Sequence, residues 1–306
     1  MSLQVVVGAG ATGAATARQL ADSGERVRLI TRSGSGPDHP GIERVAADAA
    51  DAERLAALTQ GAATLFNCAM PAYNLWPTGW PPLAAALLTA AERTGADYVM
   101  LGNVYGYGPV DGPFTEEMPM APTTVKGRVR AKMWLDALDA HHAGRVRVTE
   151  VRASDFFGPS AASLYTLTVV PGILAGSPAR YAGDPDVPHS WTYPGDAARA
   201  LIAASRDDRA WGRGWHVPST SEASVAELSA KLAEAAGAPT AEVTRLSDEE
   251  FDAFARADAI MAEIREMRYL FDRPAILDSA ETERILGLKA TPLDDVVREL
   301  IDDSAK

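Results

Sequence analysis

The chain has 306 residues, of which 47% are hydrophobic and 23% are charged, the balance of an ordinary folded globular protein. Its 41 acidic and 29 basic side chains give a formal net charge of -12, which excludes a general nucleic-acid binder because such a surface repels phosphate backbones. The single cysteine, Cys68, excludes an intrachain disulfide framework, and five histidines without paired spacing predict no metal site.

The N-terminal residues lack the basic stretch and the apolar core of a signal peptide. No apolar run in the sequence is long enough to span a membrane. We therefore expect a cytoplasmic protein without a membrane partner.

The first half of the sequence alternates short apolar runs with helical segments. Strands are predicted at residues 3–7, 27–31, 42–46, 63–66, 98–101 and 146–151, and helices at 11–22, 51–58, 81–94 and 123–141. Strands that alternate with helices pair in parallel through right-handed crossovers. The pattern predicts an α/β fold, a Rossmann-type doubly wound parallel sheet with its ligand crevice at the carboxyl ends of the strands.

After residue 153 the sequence becomes mostly helical. Helices are predicted at 194–205, 225–236, 248–267, 281–286 and 293–301, with one further strand at 215–217. Prolines punctuate this part without marking a clean linker. We expect a smaller, mostly helical C-terminal region that covers the crevice.

Three glycines form a GxGxxG pattern between the first strand and the first helix. Gly8 permits a tight turn, Gly10 lets the backbone approach a pyrophosphate, and Gly13 allows close packing of helix on strand. The helix N-terminus, at Ala11 and Thr12, offers free N–H groups to the anion. The pattern predicts dinucleotide binding, and the alternative is a purely structural glycine turn.

The second strand ends in the sequence LITRS, without the acid that holds the ribose hydroxyls in an NAD site. Its Arg32 suits a 2′-phosphate dianion, although a solvated loop arginine is the alternative. We therefore predict NADP in preference to NAD. Residues 1–155 then form an NADP-binding Rossmann domain, to which 189–217 return, and residues 156–188 and 218–306 form a substrate-capping region.

The order of the motifs resembles the short-chain dehydrogenase/reductase superfamily, in its extended or atypical branch of epimerase/dehydratase-like proteins. The similar segments are GAGATG at 8–13, AADAAD at 46–51, NCA at 67–69, VYG at 104–106, RASDFFGP at 152–159 and HSWTYPGDAARAL at 189–201. The resemblance implies that Asp48 contacts the adenine and that Asn67 and Ala69 lie beside the nicotinamide ribose. It also implies that Ser154 and Asp155 lie beside the nicotinamide.

The catalytic positions depart from the YxxxK pattern of that superfamily. Lys126 matches the lysine, which the resemblance implies holds the ribose, but Pro122 stands in place of the tyrosine. Leu101 stands where a serine or threonine normally binds the substrate oxygen. The candidates that remain beside Lys126 are Asn103 as an oxyanion donor, and Tyr105, Tyr107 and His189 as proton donors.

The resemblance implies an NADP-dependent oxidoreductase or epimerase that acts by hydride transfer on a small or sugar-like molecule. The missing tyrosine leaves two alternatives open. One is a non-catalytic protein that senses NADP or serves as a scaffold, and the other is a non-redox lyase or cyclase on the same fold. We expect a small-molecule substrate as partner, and the dimerisation common in the superfamily leaves a homodimer open.

Overall fold

The computed structural model describes residues 2–239 and 242–304. The elements of the first half are β1 (Leu3–Val7), α1 (Ala11–Asp22), β2 (Arg26–Thr31), β3 (Ile42–Ala46), α2 (Ala52–Thr59), β4 (Ala62–Asn67), α3 (Trp76–Thr94), β5 (Asp97–Asn103), α4 (Val125–His142) and β6 (Val148–Ala153). Those of the second half are β7 (Asp155–Phe156), α5 (Leu164–Thr168), α6 (Val170–Leu174), β8 (Ala179–Tyr181), β9 (Trp191–Thr192), α7 (Pro194–Arg206), β10 (Gly214–His216), α8 (Val225–Ala236), β11 (Val243–Arg245), α9 (Asp248–Ala257), α10 (Ala259–Ile264), α11 (Ala280–Leu286) and α12 (Leu293–Ser304).

Seven strands of the described chain form one parallel sheet in the order β10-β6-β5-β4-β1-β2-β3. β1 pairs with β2 on one side and with β4 on the other, so the direction of winding reverses at β1. This reversal opens a crevice at the carboxyl ends of the central strands. The prediction of a doubly wound parallel sheet is confirmed, and the predicted strand at 215–217 is β10 at its edge.

The central strands are buried on both faces, which is why they read as unbroken apolar runs. Val6 and Phe66 pack with α1 and α7, whereas Val5 and Leu65 pack with α3 and α4. All four side chains are fully buried. Because burial of each such side chain contributes roughly 1.5–3 kcal/mol, these two layers fix the sheet that carries the loops of the crevice.

The C-terminal part is helical, as predicted, but the helix expected at 248–267 is divided into α9, α10 and a 3-10 turn over Arg265–Leu270. Asp258 causes the break, because its carboxylate accepts hydrogen bonds from the N–H groups of Ile260 and Met261 and so starts a new helix. None of the helices in the described part of the chain is long and apolar enough to cross a bilayer.

Candidate active site

A cavity of about 700 Å³ lies at the carboxyl ends of the central strands. One end is formed by the loop of residues 8–13, with residues 31–35 and 47–50 beside it. The cavity continues past residues 68–71, which follow β4, and ends among Tyr105, Asp155 and His189. A single continuous space therefore connects the glycine loop to several groups that can transfer protons.

The three glycines of the loop meet different demands. At Gly8, which has φ +98°, a side chain would collide with the backbone of Cys68 and Ala69, and at Gly13 it would collide with the Gly8 carbonyl. Gly10 has no protein atom within 4 Å of the position a Cβ would take, so close packing does not account for its lack of a side chain. The backbone of Gly10 instead borders the open cavity at the N-terminus of α1, where an anionic group can approach it.

Arg32 and Asp48 line the cavity at its glycine end. Arg32 is exposed, and within residues 2–239 and 242–304 its side chain makes no hydrogen bond or ion pair. The Asp48 carboxylate accepts the Ala50 N–H at 3.0 Å, which fixes the loop after β3. A guanidinium thus remains available at this end to an anionic ligand.

The end of β4 forms the middle of the cavity through Cys68 and Ala69, whereas Asn67 lies beneath the surface. The Asn67 amide donates to the hydroxyl of Tyr98 at 3.2 Å, and its carbonyl oxygen accepts the Ala69 N–H at the same distance. Asn67 therefore shapes the loop that lines the cavity. Burial raises the pKa of the Cys68 thiol to about 12, so Cys68 is protonated at neutral pH.

Two tyrosines meet at the far end of the cavity. The hydroxyl of Tyr73 donates to that of Tyr105 at 3.5 Å, and burial raises the pKa of both phenols. Asn103 accepts the Tyr105 N–H at 3.2 Å through its side-chain carbonyl, which leaves its amide nitrogen as a donor beside the cavity. The phenols are thus neutral at physiological pH and carry the proton that a donor needs.

His189 and Asp155 face each other across the same end of the cavity. The His189 Nε2 lies 3.1 Å from a carboxylate oxygen of Asp155, but the two atoms form no hydrogen bond. The imidazole packs against Trp191, with ring centres 4.9 Å apart. Ser154, which also lines the cavity, is held through its N–H by the Thr192 hydroxyl at 3.0 Å.

Lys126 is not among the residues that line the cavity. Its side chain is fully buried, its Nζ forms ion pairs with Glu263 and with Glu266 at 3.1 Å, and it lies 4.6 Å from the ring centre of Tyr73. Glu266 also accepts the N–H groups of Val125 and Lys126 at 2.6 and 3.2 Å. The lysine expected to hold a ribose instead joins α4 to α10 and to the 3-10 turn that follows it.

Tyr107 is also absent from the cavity wall. Its hydroxyl lies 2.7 Å from the Nε2 of His216 and accepts a hydrogen bond from Arg152 at 2.6 Å. Only 1% of Tyr107 is exposed. The Tyr107 hydroxyl therefore has both of its hydrogen-bond partners within this buried network. Tyr105 differs, because it lines the cavity and its hydroxyl accepts a hydrogen bond from Tyr73 without donating its own proton to any residue in the described part of the chain.

Arg130 lines the cavity and was missed by the sequence reasoning. It follows Lys126 by one helical turn, and its guanidinium donates to the Leu101 carbonyl at 2.6 Å and lies 5.1 Å from the ring centre of Trp80. Residues four apart share one face of a helix, so the spacing of Lys126 and Arg130 was a usable signal. The structure brings the second of these two cations to the cavity.

The chain is similar over its whole length to solved structures of epimerases and dehydratases, at identities that show the fold alone. WbmH from Bordetella bronchiseptica, solved with NAD+, has 20% identity and a TM-score of 0.78, with 100% of this chain and 99% of WbmH covered. The dTDP-glucose 4,6-dehydratase DesIV from Streptomyces venezuelae, solved with NAD, has 22% identity and a TM-score of 0.78, with coverage of 100% and 98%. UDP-glucose 4-epimerase from Thermotoga maritima, solved with UDP-glucose, has 17% identity and a TM-score of 0.78, with coverage of 100% and 99%.

A comparison with curated proteins finds no match. The family described as NAD dependent epimerase/dehydratase matches residues 4–215, which is more than half of the chain. This match agrees with the resemblance to the extended branch of the short-chain dehydrogenase/reductases and with the fold and cavity described above. The chain belongs to the NAD dependent epimerase/dehydratase family of enzymes.

Proposed function

We propose that the chain is an enzyme that binds a nicotinamide dinucleotide and oxidises, reduces or epimerises a small or sugar-like molecule by hydride transfer. The observation that carries this proposal is the continuous cavity from the glycine loop to Tyr105, Asp155 and His189. The similarity to proteins solved with NAD and with a sugar nucleotide supports the same reading.

The residues at the glycine end fit such a cofactor. No side chain covers the backbone of Gly10 on the side of the cavity. The N-terminus of α1 has no side-chain cap, so the first N–H groups of this helix can bind a pyrophosphate. A nicotinamide ring bound at the far end would accept or return a hydride at the carbon that carries the reacting oxygen. The remaining requirement is a group that supplies or removes the proton of that oxygen.

Tyr105 is the proton donor that we propose for the reducing direction. Hydride addition to a carbonyl leaves an alkoxide, and transfer of the phenolic proton to it produces the alcohol and a phenolate. Tyr73, at 3.5 Å, donates to the Tyr105 oxygen and stabilises that phenolate. We propose that His189, whose ring packs against Trp191, binds the substrate from the opposite wall.

We also propose that NADP is preferred to NAD. Arg32 lies at the cavity edge as an exposed guanidinium, beside the hydroxyls of Ser33 and Ser35. These groups can donate to a 2′-phosphate, and no carboxylate stands at the end of β2 to hold the 2′-hydroxyl of NAD. The similar proteins solved with NAD make the opposite preference the outcome to test.

A non-redox reaction at the same site is the second candidate. Leu101 lines the cavity where a hydroxyl would be expected, and leucine cannot polarise a carbonyl, which is the observation that favours this candidate. Product formation by the protein freed of dinucleotide, or with no cofactor cycling in a single turnover, would support this candidate. Turnover coupled to cofactor oxidation or reduction would support the first one.

A paired fluorescence titration with NADPH and NADH tests the proposal. We expect tighter binding of NADPH, and a loss of roughly tenfold in that affinity in Arg32→Ala, because a charged hydrogen bond is removed. The matched control is Arg26→Ala, an exposed arginine at the opposite end of the same strand. A loss below about threefold in Arg32→Ala argues against NADP preference, and failure of both nucleotides to bind overturns the proposed function.

A further inference from the structure

Three buried charged side chains, one on α4 and two on β6, do not balance in charge. Arg152 pairs with Glu150 at 2.7 Å, and Arg130 approaches the other oxygen of Glu150 at 3.7 Å. The side chains of Arg130, Glu150 and Arg152 are 6%, 3% and 2% exposed. Two permanent cations thus share one carboxylate away from water, an arrangement that favours an additional electron-rich partner.

Two buried N–H donors beside the cavity have no acceptor within residues 2–239 and 242–304. They are the Nε of Arg130 and the indole Nε1 of Trp80, in side chains that stack 5.1 Å apart. Both residues line the cavity, and both are at least nine-tenths buried. Because buried donors are almost always paired, their orphaned state indicates a ligand that brings oxygen acceptors to this wall.

The position along the cavity identifies the part of the ligand that can reach them. A pyrophosphate at the N-terminus of α1 separates the two nucleosides of a dinucleotide, and the edge with Arg32 and Asp48 receives one of them. The other nucleoside would then lie along the cavity past Ala69, toward the end of β5, where Arg130 lies. The hydroxyls of the ribose attached to the nicotinamide would be the oxygen acceptors offered to Arg130.

We propose that Arg130 binds the hydroxyls of the nicotinamide-side ribose, assisted by the indole N–H of Trp80. This inference rests on the proposed dinucleotide binding and deepens it. It transfers to Arg130 the role that the sequence motif suggests for Lys126, which is committed to Glu263 and Glu266. The Leu101 carbonyl accepts a hydrogen bond from the Nη2 of Arg130 and so holds the guanidinium in place.

A ligand series isolates the ribose. ADP lacks the second ribose, ADP-ribose carries that ribose without nicotinamide, and the dinucleotide carries both groups. If the wild type binds NADPH more tightly than NADH, the 2′-phosphorylated forms of the three ligands are used. In Arg130→Gln we expect affinity for ADP-ribose and the dinucleotide to fall roughly ten- to hundredfold, and that for ADP to change less than about twofold. The matched control is Arg128→Gln, an exposed arginine on the same helix, which should change none of the three.

Trp80→Phe keeps an aromatic ring beneath Arg130 and removes the indole N–H, so it tests the same contact if Arg130→Gln does not fold. We expect it to weaken ADP-ribose binding severalfold and to leave ADP binding unchanged. Equal losses for all three ligands in either variant would assign these residues a structural role and overturn the inference. If the wild type binds the dinucleotide and both variants bind it equally well, the inference about Arg130 is overturned and the proposed function stands. If the wild type binds no dinucleotide, the proposed function is overturned as well.

Discussion

His216 is a buried histidine that the folded protein holds in its neutral form. It ends β10, is fully buried, and places its ring nitrogens 2.7 Å from the Tyr107 hydroxyl and 2.7 Å from the Asp278 carbonyl. Burial is the main cause that lowers its pKa from 6.5 to about 4, and the charge of Arg152 acts in the same direction. Protonation of His216 is therefore much easier in the unfolded chain than in the native protein.

The sign and size of the pH effect follow from these values. Below about pH 6.5 His216 binds a proton in the unfolded chain but not in the native state. The contribution of neutral His216 to the free energy of unfolding is therefore complete above that pH and declines as the pH falls. The difference between 6.5 and about 4, at roughly 1.4 kcal/mol for each pH unit, amounts to about 3 kcal/mol. Below about pH 4 both states are protonated and the decline ends.

Urea unfolding of the wild type and of His216→Gln, at about pH 7.5 and about pH 4.5, measures this contribution. We expect the wild type to lose about 2–3 kcal/mol more than the variant between those conditions, because glutamine does not titrate. Glu116, which accepts the His216 backbone N–H, titrates in both proteins, so its contribution cancels in the comparison. His142→Gln, at an exposed site, serves as the control, and an identical pH dependence in wild type and His216→Gln would refute the reasoning.

Three further substitutions separate folding from binding and chemistry. Gly10→Ala should fold normally, because the added Cβ would meet no protein atom within 4 Å. It should lose at least roughly tenfold in dinucleotide affinity, because that Cβ would occupy the space through which the anion approaches the backbone. Unchanged affinity in the same titration would contradict this. Lys126→Met should lower the free energy of unfolding in urea by about 1–3 kcal/mol, because its two partly exposed carboxylate partners lose their cation, while cofactor affinity stays within about twofold. Lys132→Met, on the exposed face, is its control, and a collapse of affinity in Lys126→Met would restore the lysine to the cofactor site. Tyr105→Phe should reduce turnover about 100-fold or more at unchanged cofactor affinity, and full activity would remove Tyr105 from the mechanism.

The sheet was largely predictable because its central strands are buried on both faces and read as continuous apolar runs. The sixth strand shows where that signal stops: it was expected at 146–151 and lies at Val148–Ala153. The predicted strand includes Glu150 and stops before Arg152, because a charged residue there does not continue an apolar run. Both are buried because they pair with each other at 2.7 Å, a relation that hydrophobic pattern does not register.

Several residues chosen from the sequence line the cavity, whereas Lys126 does not. The family motifs located the glycine loop, Asp155 and His189, all of which lie on one cavity. Lys126 was chosen by its match to a motif, and its carboxylate partners lie 137 and 140 residues further along the chain. Contacts across such a separation depend on how α10 and the 3-10 turn after it pack on α4, which local spacing does not encode.

The docking of Glu266 on α4 has a consequence for the order in which the chain matures. During synthesis the N-terminal half emerges first, with the first N–H groups of α4 and the Lys126 amine still hydrated. Both are covered only when a segment made 137 to 140 residues later arrives with its carboxylates. A chain that ends before that segment lacks the carboxylates of Glu263 and Glu266, so the contact that covers the first turn of α4 forms only when the last quarter of the protein has been made.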